Sequence, residues 1–260
     1  MRSMRGYRTE PFGKNRRIVA ASVRVSRQRN TIHLVTEVEV GTPRAMIAKR
    51  REETGDKLSF TAYLVGCLAR VCSEHPRFNS FRKGRRLIVL DDVTVNVLFE
   101  REFDGAPVPE SVGIRHADRK SYDDINRDIQ KTKQSQGPHM GSSSGMGWIR
   151  LMPDGLLRAF IRLASRSITM QKKYGVVGVT AIGMFSRTPL WPVPITNATV
   201  TMAVGTIVPR VVMVDGNPEE REHVCLTLSF DHDIIDGAPA ARFVDRLARE
   251  IRSGALLQPM

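Results

Sequence analysis

Strand-like and helix-like patterns of apolar residues are interspersed along this 260-residue chain, and no segment repeats another. Residues 31–40 alternate apolar and polar side chains, which predicts a strand. Residues 59–75 place apolar side chains at helical spacing on one broad face, and Pro76 ends that helix. The mixed order of such segments predicts one α+β domain that contains a large sheet.

The remaining segments continue the same mixed order. The sequence predicts helices at 16–28, 44–54, 121–134, 154–172 and 239–252. It predicts two strands within 86–100, an extended segment at 104–115, a loop at 137–147, and strands at 176–182, 199–207, 210–214 and 222–229. The predicted organisation is a flexible basic arm at 1–13, a domain at 14–254, and an apolar tail at 255–260 that either docks on a neighbouring molecule or frays.

The composition is strongly basic, with 40 Lys and Arg residues against 27 Asp and Glu residues and a net charge of +13. Such an excess attracts polyanions, including nucleic acid, acidic protein surfaces and phosphate-rich cofactors. The sequence shows no zinc finger, RNP-like strand or clear recognition helix. The hypothesis of nucleic-acid binding therefore depends on charge alone and is not favoured. Most basic residues are predicted to form a solvated surface, and a minority to guide a coenzyme with several phosphate charges.

Membrane and metal chemistry have no support in the sequence. No apolar run approaches the ~20 residues that a membrane helix needs. The basic start lacks the apolar stretch of a secretory signal, so a cytoplasmic location is predicted. Cys67, Cys72 and Cys225 lack metal-type pairing, which predicts buried, inert thiols and no bound metal.

The candidate chemistry lies in the segment Ser229-Phe-Asp-His-Asp-Ile-Ile-Asp-Gly237, where a strand is predicted to end and a helix to begin. Catalytic groups favour such positions because a rigid element holds the side chain at an open edge. A histidine such as His232 can serve there as a proton acceptor, Asp236 can pair with a nearby arginine, and Gly237 can permit a tight turn. The short pattern alone favours a structural turn histidine.

A family resemblance adds to these residues. Residues 228–238 and 241–247 closely resemble the end of the catalytic domain of dihydrolipoamide acyltransferases, the core subunits of 2-oxo acid dehydrogenase complexes and relatives of chloramphenicol acetyltransferase. Four further segments resemble that domain in the same order, namely 16–20, 32–40, 114–121 and 179–185. The resemblance covers roughly residues 14–252. It implies the chloramphenicol acetyltransferase-like fold, with a large mixed sheet flanked by helices.

The resemblance also implies a mechanism. In this family the histidine, here His232, removes a proton from the thiol of coenzyme A or of a dihydrolipoyl group, and the thiolate attacks a thioester carbonyl. A hydroxyl that maps to Thr180 donates to the oxyanion. The alternative for Thr180 is an ordinary β-branched strand residue. The motif aspartate, Asp236, is implied to be mainly structural, with Arg16 or Arg17 as its partner.

An assembly is implied as well. Members of this family form trimers in which the histidine and the hydroxyl come from adjacent subunits, and some form hollow cubic shells of eight trimers. The implied substrates are coenzyme A or its acyl thioester and a thiol of the dihydrolipoyl type or another acceptor.

Four features depart from the family pattern. Complex-forming members carry lipoyl and subunit-binding domains before the catalytic domain, whereas this chain has about 15 residues there, so a separate lipoyl-bearing protein is expected as partner and no lipoyl group on this chain. Asp233 replaces a usually basic residue, and Ala181 replaces a usual asparagine. The region 137–172 is longer than the usual connection. The missing domains and the substitutions at 181 and 233 support an alternative function, a non-catalytic scaffold or assembly subunit of such a complex.

Overall fold

A computed structural model describes residues 7–103, 106–134 and 152–258. The helices are α1 (Lys14–Ser26), α2 (Gly41–Thr54), α3 (Phe60–Glu74), α4 (Tyr122–Gln134), α5 (Asp154–Ala164), α6 (Ile168–Tyr174) and α7 (Gly237–Ser253). The strands are β1 (Thr31–Glu39), β2 (Ser80–Lys83), β3 (Arg86–Val89), β4 (Val95–Phe103), β5 (Ala106–Ile114), β6 (Val177–Ala181), β7 (Val200–Val214) and β8 (Asn217–Asp231).

Six strands form one mixed sheet in the order β1-β8-β7-β6-β4-β5. β8 pairs antiparallel with both β1 and β7, β6 pairs parallel with β7 and β4, and β5 closes the far edge antiparallel to β4. A separate two-stranded hairpin consists of β2 and β3. The predicted α+β domain with a large mixed sheet and flanking helices is therefore confirmed.

Helix α3 lies at the centre of the core. Ten of its 15 residues are buried, which is the pattern of a helix surrounded by other elements rather than one lying on a surface. The Ser59 side chain accepts a hydrogen bond from the backbone N–H of Ala62 and so caps the first turn. α3 packs on β4, β6 and α7, and α7 packs in turn on β1. The apolar faces of α3 and α7 thus cover the sheet.

The described end of the tail belongs to this core. Leu256 and Leu257, in the short 3-10 turn that follows α7, are buried in the main hydrophobic cluster. Leu256 lies so close to Gly66 of α3 that a Cβ at Gly66 would come within 2.3 Å of the Leu256 side chain. These residues neither fray nor remain free for a neighbouring molecule, which corrects both alternatives predicted for this part of the tail.

Three predicted elements need correction. The single helix predicted at 154–172 is two helices, because residues 165–167 leave the helix and the Ser167 side chain caps α6. The strands predicted at 199–207 and 210–214 form one strand, β7, which passes an irregularity between Val204 and Ile207 and keeps pairing with β8. The short strand β2 was not predicted. The loop predicted at 137–147 lies outside the described residues.

Within the described ranges, no helix combines the length and apolar character needed to cross a membrane. The same residues contain no group of three or more His, Cys, Asp or Glu side chains arranged to hold a metal ion.

Candidate active site at the His232 turn

His232 directly follows the last residue of β8, and its backbone is fixed by several hydrogen bonds. Its N–H donates to the carbonyl oxygen of Asn30 at 2.6 Å, and the preceding N–H of Asp231 donates to the carbonyl oxygen of Thr199 at 3.0 Å. Phe230, two residues before His232, is fully buried against the rings of Phe78 and Phe243. The turn is therefore attached to the core and to the neighbouring segments.

The imidazole of His232, in contrast, is accessible. Its side chain is 43% exposed, and its Nδ1 lies 3.6 Å from Oδ1 of Asp236. A ring that is open to solvent on a fixed backbone can meet a proton donor without rearrangement of the chain. The arrangement suits a general base that works on an incoming molecule.

The residue before His232 is held by a buried ion pair. The Asp231 side chain is 1% exposed, and it binds the guanidinium of Arg29, which follows α1 and is 21% exposed. A buried carboxylate is tolerable when such a partner and further hydrogen bonds satisfy it. Asp231 Oδ1 also accepts the N–H of Asp233 at 3.2 Å.

The residue after His232 is held by two other groups. Asn30 Nδ2 donates to Asp233 Oδ1 at 2.9 Å, and Arg82 Nη1 of β2 lies 2.8 Å from Asp233 Oδ2. The hydrogen bond from Asn30, together with the positive charge of Arg82, holds the pKa of the Asp233 carboxyl below its ordinary value. The acidic residue that departs from the family pattern is thus fully partnered.

Arg17, one of the two arginines predicted as partner of Asp236, binds a different carboxylate. Arg17 donates through Nη2 and Nε to Asp154 Oδ1 of α5, at 2.6 and 3.1 Å, and to the carbonyl oxygen of Met152. The pairing of Asp236 with Arg17 is therefore not formed in the described chain, because α5 packs on α1 and supplies a nearer carboxylate. Arg16 is exposed, and its pairing with Asp236 stays a prediction.

Gly237 does not have the conformation that its predicted role requires. It is the first residue of α7, and its φ lies outside the left-handed region. A Cβ at this position would meet no atom within 4 Å. The backbone of the isolated chain therefore gives no physical reason for glycine here.

Thr180 and His232 are separated within one chain. Thr180 of β6 is in register with Ala203 of β7, which is in register with Thr227 of β8, five residues before His232. At ~3.3 Å per residue along the strand and ~4.8 Å between strands, the two residues lie roughly 19 Å apart. Within the described part of the chain, the half-buried Thr180 hydroxyl has no hydrogen-bond partner. One chain alone cannot bring the two predicted groups together.

A second histidine–hydroxyl pair lies nearby on the sheet. His33 Nδ1 of β1 is 2.7 Å from Ser229 Oγ of β8, and partial burial lowers the pKa of the His33 imidazole. Ser229 is completely buried, so its hydroxyl cannot act as a nucleophile on an external substrate. This pair joins two strands rather than forming a second reactive site.

Sequence reasoning missed Arg29, Asn30 and Arg82 as partners of the turn. The signal was present: two carboxylates flank His232, and each needs a cation or a hydrogen-bond donor if it becomes buried. Most basic residues were predicted to form a solvated surface, whereas Arg82 contacts Asp233 of the turn.

The sequence matches a family model described as 2-oxoacid dehydrogenases acyltransferase (catalytic domain), over residues 4–137 and 163–257. The match includes the His232 turn and all six strands of the main sheet. Residues 138–162, within the region predicted to be longer than usual, lie outside it.

Two relatives illustrate the similarity. The acetyltransferase component of the pyruvate dehydrogenase complex of Mycoplasma pneumoniae is 28% identical over 75% of this chain and 42% of its own length. The lipoamide acyltransferase component of the branched-chain alpha-keto acid dehydrogenase complex of Bacillus subtilis is 26% identical over 96% of this chain and 54% of its own length. The chain thus spans about half the length of the curated relatives it matches.

Solved structures share the fold. A probable dihydrolipoamide acetyltransferase from Listeria monocytogenes superimposes with a TM-score of 0.70 at 22% identity, covering 95% of this chain and 94% of that one. The cubic core of a pyruvate dehydrogenase multienzyme complex gives 0.70 at 20% identity, covering 98% and 96%. Chloramphenicol acetyltransferase gives 0.53 at 14% identity, covering 89% and 94%, which confirms the predicted fold. The chain belongs to the family of 2-oxoacid dehydrogenase acyltransferase catalytic domains.

Proposed function

We propose that this chain is a coenzyme A-dependent acyltransferase that moves an acyl group between coenzyme A and a thiol of the dihydrolipoyl type, with His232 as the general base. The observation that carries this proposal is the His232 turn itself, which lies within the family match and combines a fixed backbone with an accessible imidazole. Asp233 and Ala181 do not disturb it, because Asp233 is partnered and Ala181 packs against the core.

The chemistry follows from these groups. The imidazole of His232 accepts the proton of the attacking thiol, and the thiolate sulfur bonds to the thioester carbonyl carbon to give a tetrahedral oxyanion. The original carbon–sulfur bond of the thioester then breaks, and the departing thiolate takes the proton from the imidazolium. A positioned general base contributes typically ~10²–10⁴-fold to such a reaction. No acyl-enzyme is needed, because both thiols react in one site.

Oxyanion stabilisation requires a second copy of the chain. The roughly 19 Å between Thr180 and His232 within one chain excludes their joint action there. A Thr180 hydroxyl from a neighbouring copy can approach His232, and such a donor contributes ~10²–10³-fold. We therefore propose a homotrimer with the site between subunits, on which a higher cubic assembly can be built.

The substrates fit the charge of the chain. A net charge of +13 attracts a coenzyme that carries several phosphate charges, and it attracts an acidic protein that carries the acyl group. A separate lipoyl-bearing protein is the proposed partner.

The test measures thioester exchange between acetyl-coenzyme A and dihydrolipoamide. His232→Ala should lower kcat by about 10²–10⁴-fold, and Thr180→Val by about 10²–10³-fold. His33→Ala is the matched control, because this second histidine lies on the same sheet and takes no part in the reaction. An exchange rate unchanged by His232→Ala would overturn the assignment.

Mixing the two inactive variants tests the shared site. If the His232→Ala and Thr180→Val chains are unfolded and reassembled together, a random one-to-one mixture places intact groups on both sides of about a quarter of the interfaces. We expect recovery of roughly that share of the wild-type rate. No recovery in a mixture that elutes as a mixed oligomer would refute a site between subunits.

A further inference from the structure

We propose that Asp233, Asn30 and Arg82 form a positioning clamp that fixes His232 for proton transfer. The inference rests on the proposed function, and it gives a role to the acidic residue at a position where the family usually has a basic one. The charge at 233 is opposite to the usual one, and its partner Arg82 comes from the β2–β3 hairpin.

Asn30 is the central member of the clamp. Its backbone carbonyl oxygen accepts the N–H of His232 at 2.6 Å, while its side-chain amide donates to Asp233 Oδ1 at 2.9 Å. One residue thus binds both His232 and its successor. A shift of Asp233 changes the position of Asn30, and with it the acceptor of the His232 N–H.

Arg82 holds the other oxygen of the same carboxylate. Its Nη1 lies 2.8 Å from Asp233 Oδ2, and its Nε donates to the carbonyl oxygen of Gly84 at 3.1 Å. The second bond orients the guanidinium, so the contact with Asp233 has a defined direction. The hairpin is tied to the His232 turn through this side chain.

The solvent exposure of Arg82 and Asp233 favours a role in positioning His232 over a role in stabilising the fold. The side chain of Arg82 is 57% exposed and that of Asp233 is 31% exposed. Ion pairs at such exposure contribute little to stability, because solvent screens them. The position of a reacting group is more sensitive, since a displacement of about 1 Å can lower a rate by ~100-fold. Loss of the clamp should therefore spare the fold and impair the reaction.

A charge-reversal cycle tests the clamp. Arg82→Asp and Asp233→Arg each place like charges opposite one another. The double variant restores an ion pair with exchanged signs, and the Asn30 amide, turned over, then accepts through its oxygen from the new guanidinium. Each single variant should lower kcat for thioester exchange by about 10- to 100-fold with little change in KM for coenzyme A, and the double variant should recover most of the loss. Arg50→Asp is the control: Arg50 forms a comparable surface pair with Asp123 at 2.9 Å, away from the turn, and its reversal should leave kcat unchanged.

A second readout does not depend on activity. Hydrogen exchange at the His232 amide, followed by NMR, reports the bond to Asn30 directly. It should accelerate in both single variants and return towards the wild-type rate in the double variant. If the wild-type chain catalyses no thioester exchange, the proposed function is wrong. Hydrogen exchange at the His232 amide would still show whether the clamp holds the turn. The clamp is refuted if both single variants keep the wild-type kcat and amide protection, or if a double variant with the wild-type melting temperature recovers neither.

Discussion

Removal of Arg29 should expose how strongly the His232 turn depends on its buried ion pair. Arg29→Ala leaves the carboxylate of Asp231, which is 1% exposed, without its cation. The N–H of Asp233 remains as a donor to Asp231 Oδ1, at 3.2 Å. One neutral donor does not replace a guanidinium, so most of the cost of burying the charge is no longer offset.

The expected magnitude follows from this burial. Removing one partner of a buried ion pair typically costs ~3–5 kcal/mol, whereas an exposed pair contributes ~0–1 kcal/mol. Since Arg29 keeps 21% exposure, water can reach part of the site, and we expect about 3 kcal/mol, the lower end of the buried range. For a chain of this size each kcal/mol lowers the melting temperature by about 2–4 °C, so a drop of roughly 6–12 °C is expected.

Urea unfolding followed by circular dichroism measures this loss. All variants are compared at one protein concentration, because assembly contributes to apparent stability. Arg50→Ala, which removes an exposed pair with Asp123, should cost at most about 1 kcal/mol. Arg29→Met combined with Asp231→Leu should lie closer to the wild type than Arg29→Ala does, because no charge stays buried without a partner. An Arg29→Ala loss no larger than that of Arg50→Ala would refute the reasoning.

Two further outcomes concern stability. In urea unfolding, Gly175→Ala should lower the free energy of unfolding by about 2–5 kcal/mol and Gly216→Ala by about 1–2 kcal/mol. Both glycines have φ +81°, but only a Cβ at Gly175 would meet a nearby atom, the carbonyl oxygen of Thr94 at 1.9 Å. Equal losses in the two variants would contradict this clash. Asp233 has a lowered pKa in the folded chain, so its charge stabilises the fold fully above the unfolded value of about 4, and this contribution disappears as the pH falls through the lower folded value. Because solvent screens this ion pair, the contribution is small: thermal unfolding between pH 6 and about 2.5 should show a slightly shallower acid loss for Asp233→Asn than for the wild type, and parallel curves would speak against the lowered pKa.

The sequence predicted correctly those helices and strands whose type is determined by residues close to one another in the chain. The apolar spacing of residues 59–75 identified α3, which spans Phe60–Glu74 in the structure. The break between α5 and α6 was missed because the apolar spacing continues across residues 165–167. β7 was divided in two, although the strand runs from Val200 to Val214 and keeps pairing with β8 past an irregularity between Val204 and Ile207.

The candidate site likewise combines a part that local sequence predicts with a part that it does not. A local motif located His232, but the groups that hold it come from distant parts of the chain. Arg29 is 202 residues from Asp231 in sequence, and Arg82 is 151 residues from Asp233. No periodicity or spacing rule connects residues so far apart, and the contacts form only once β1, β2 and β8 are placed together. Sequence reasoning could point to His232 as the proposed general base but not to the residues that hold it.

The acidic residue at 233 illustrates why a motif position cannot be judged alone. Considered by itself, Asp233 next to His232 counts against catalysis and favours a scaffold, since a negative charge stands where a positive one is usual. In the fold that charge is bound by Asn30 and Arg82, so the change at 233 is matched by a cation on the adjacent hairpin. A scaffold would have no need to keep His232 accessible while fixing the residues on both sides of it. The departure at 233 therefore argues for a retained reactive site rather than a lost one.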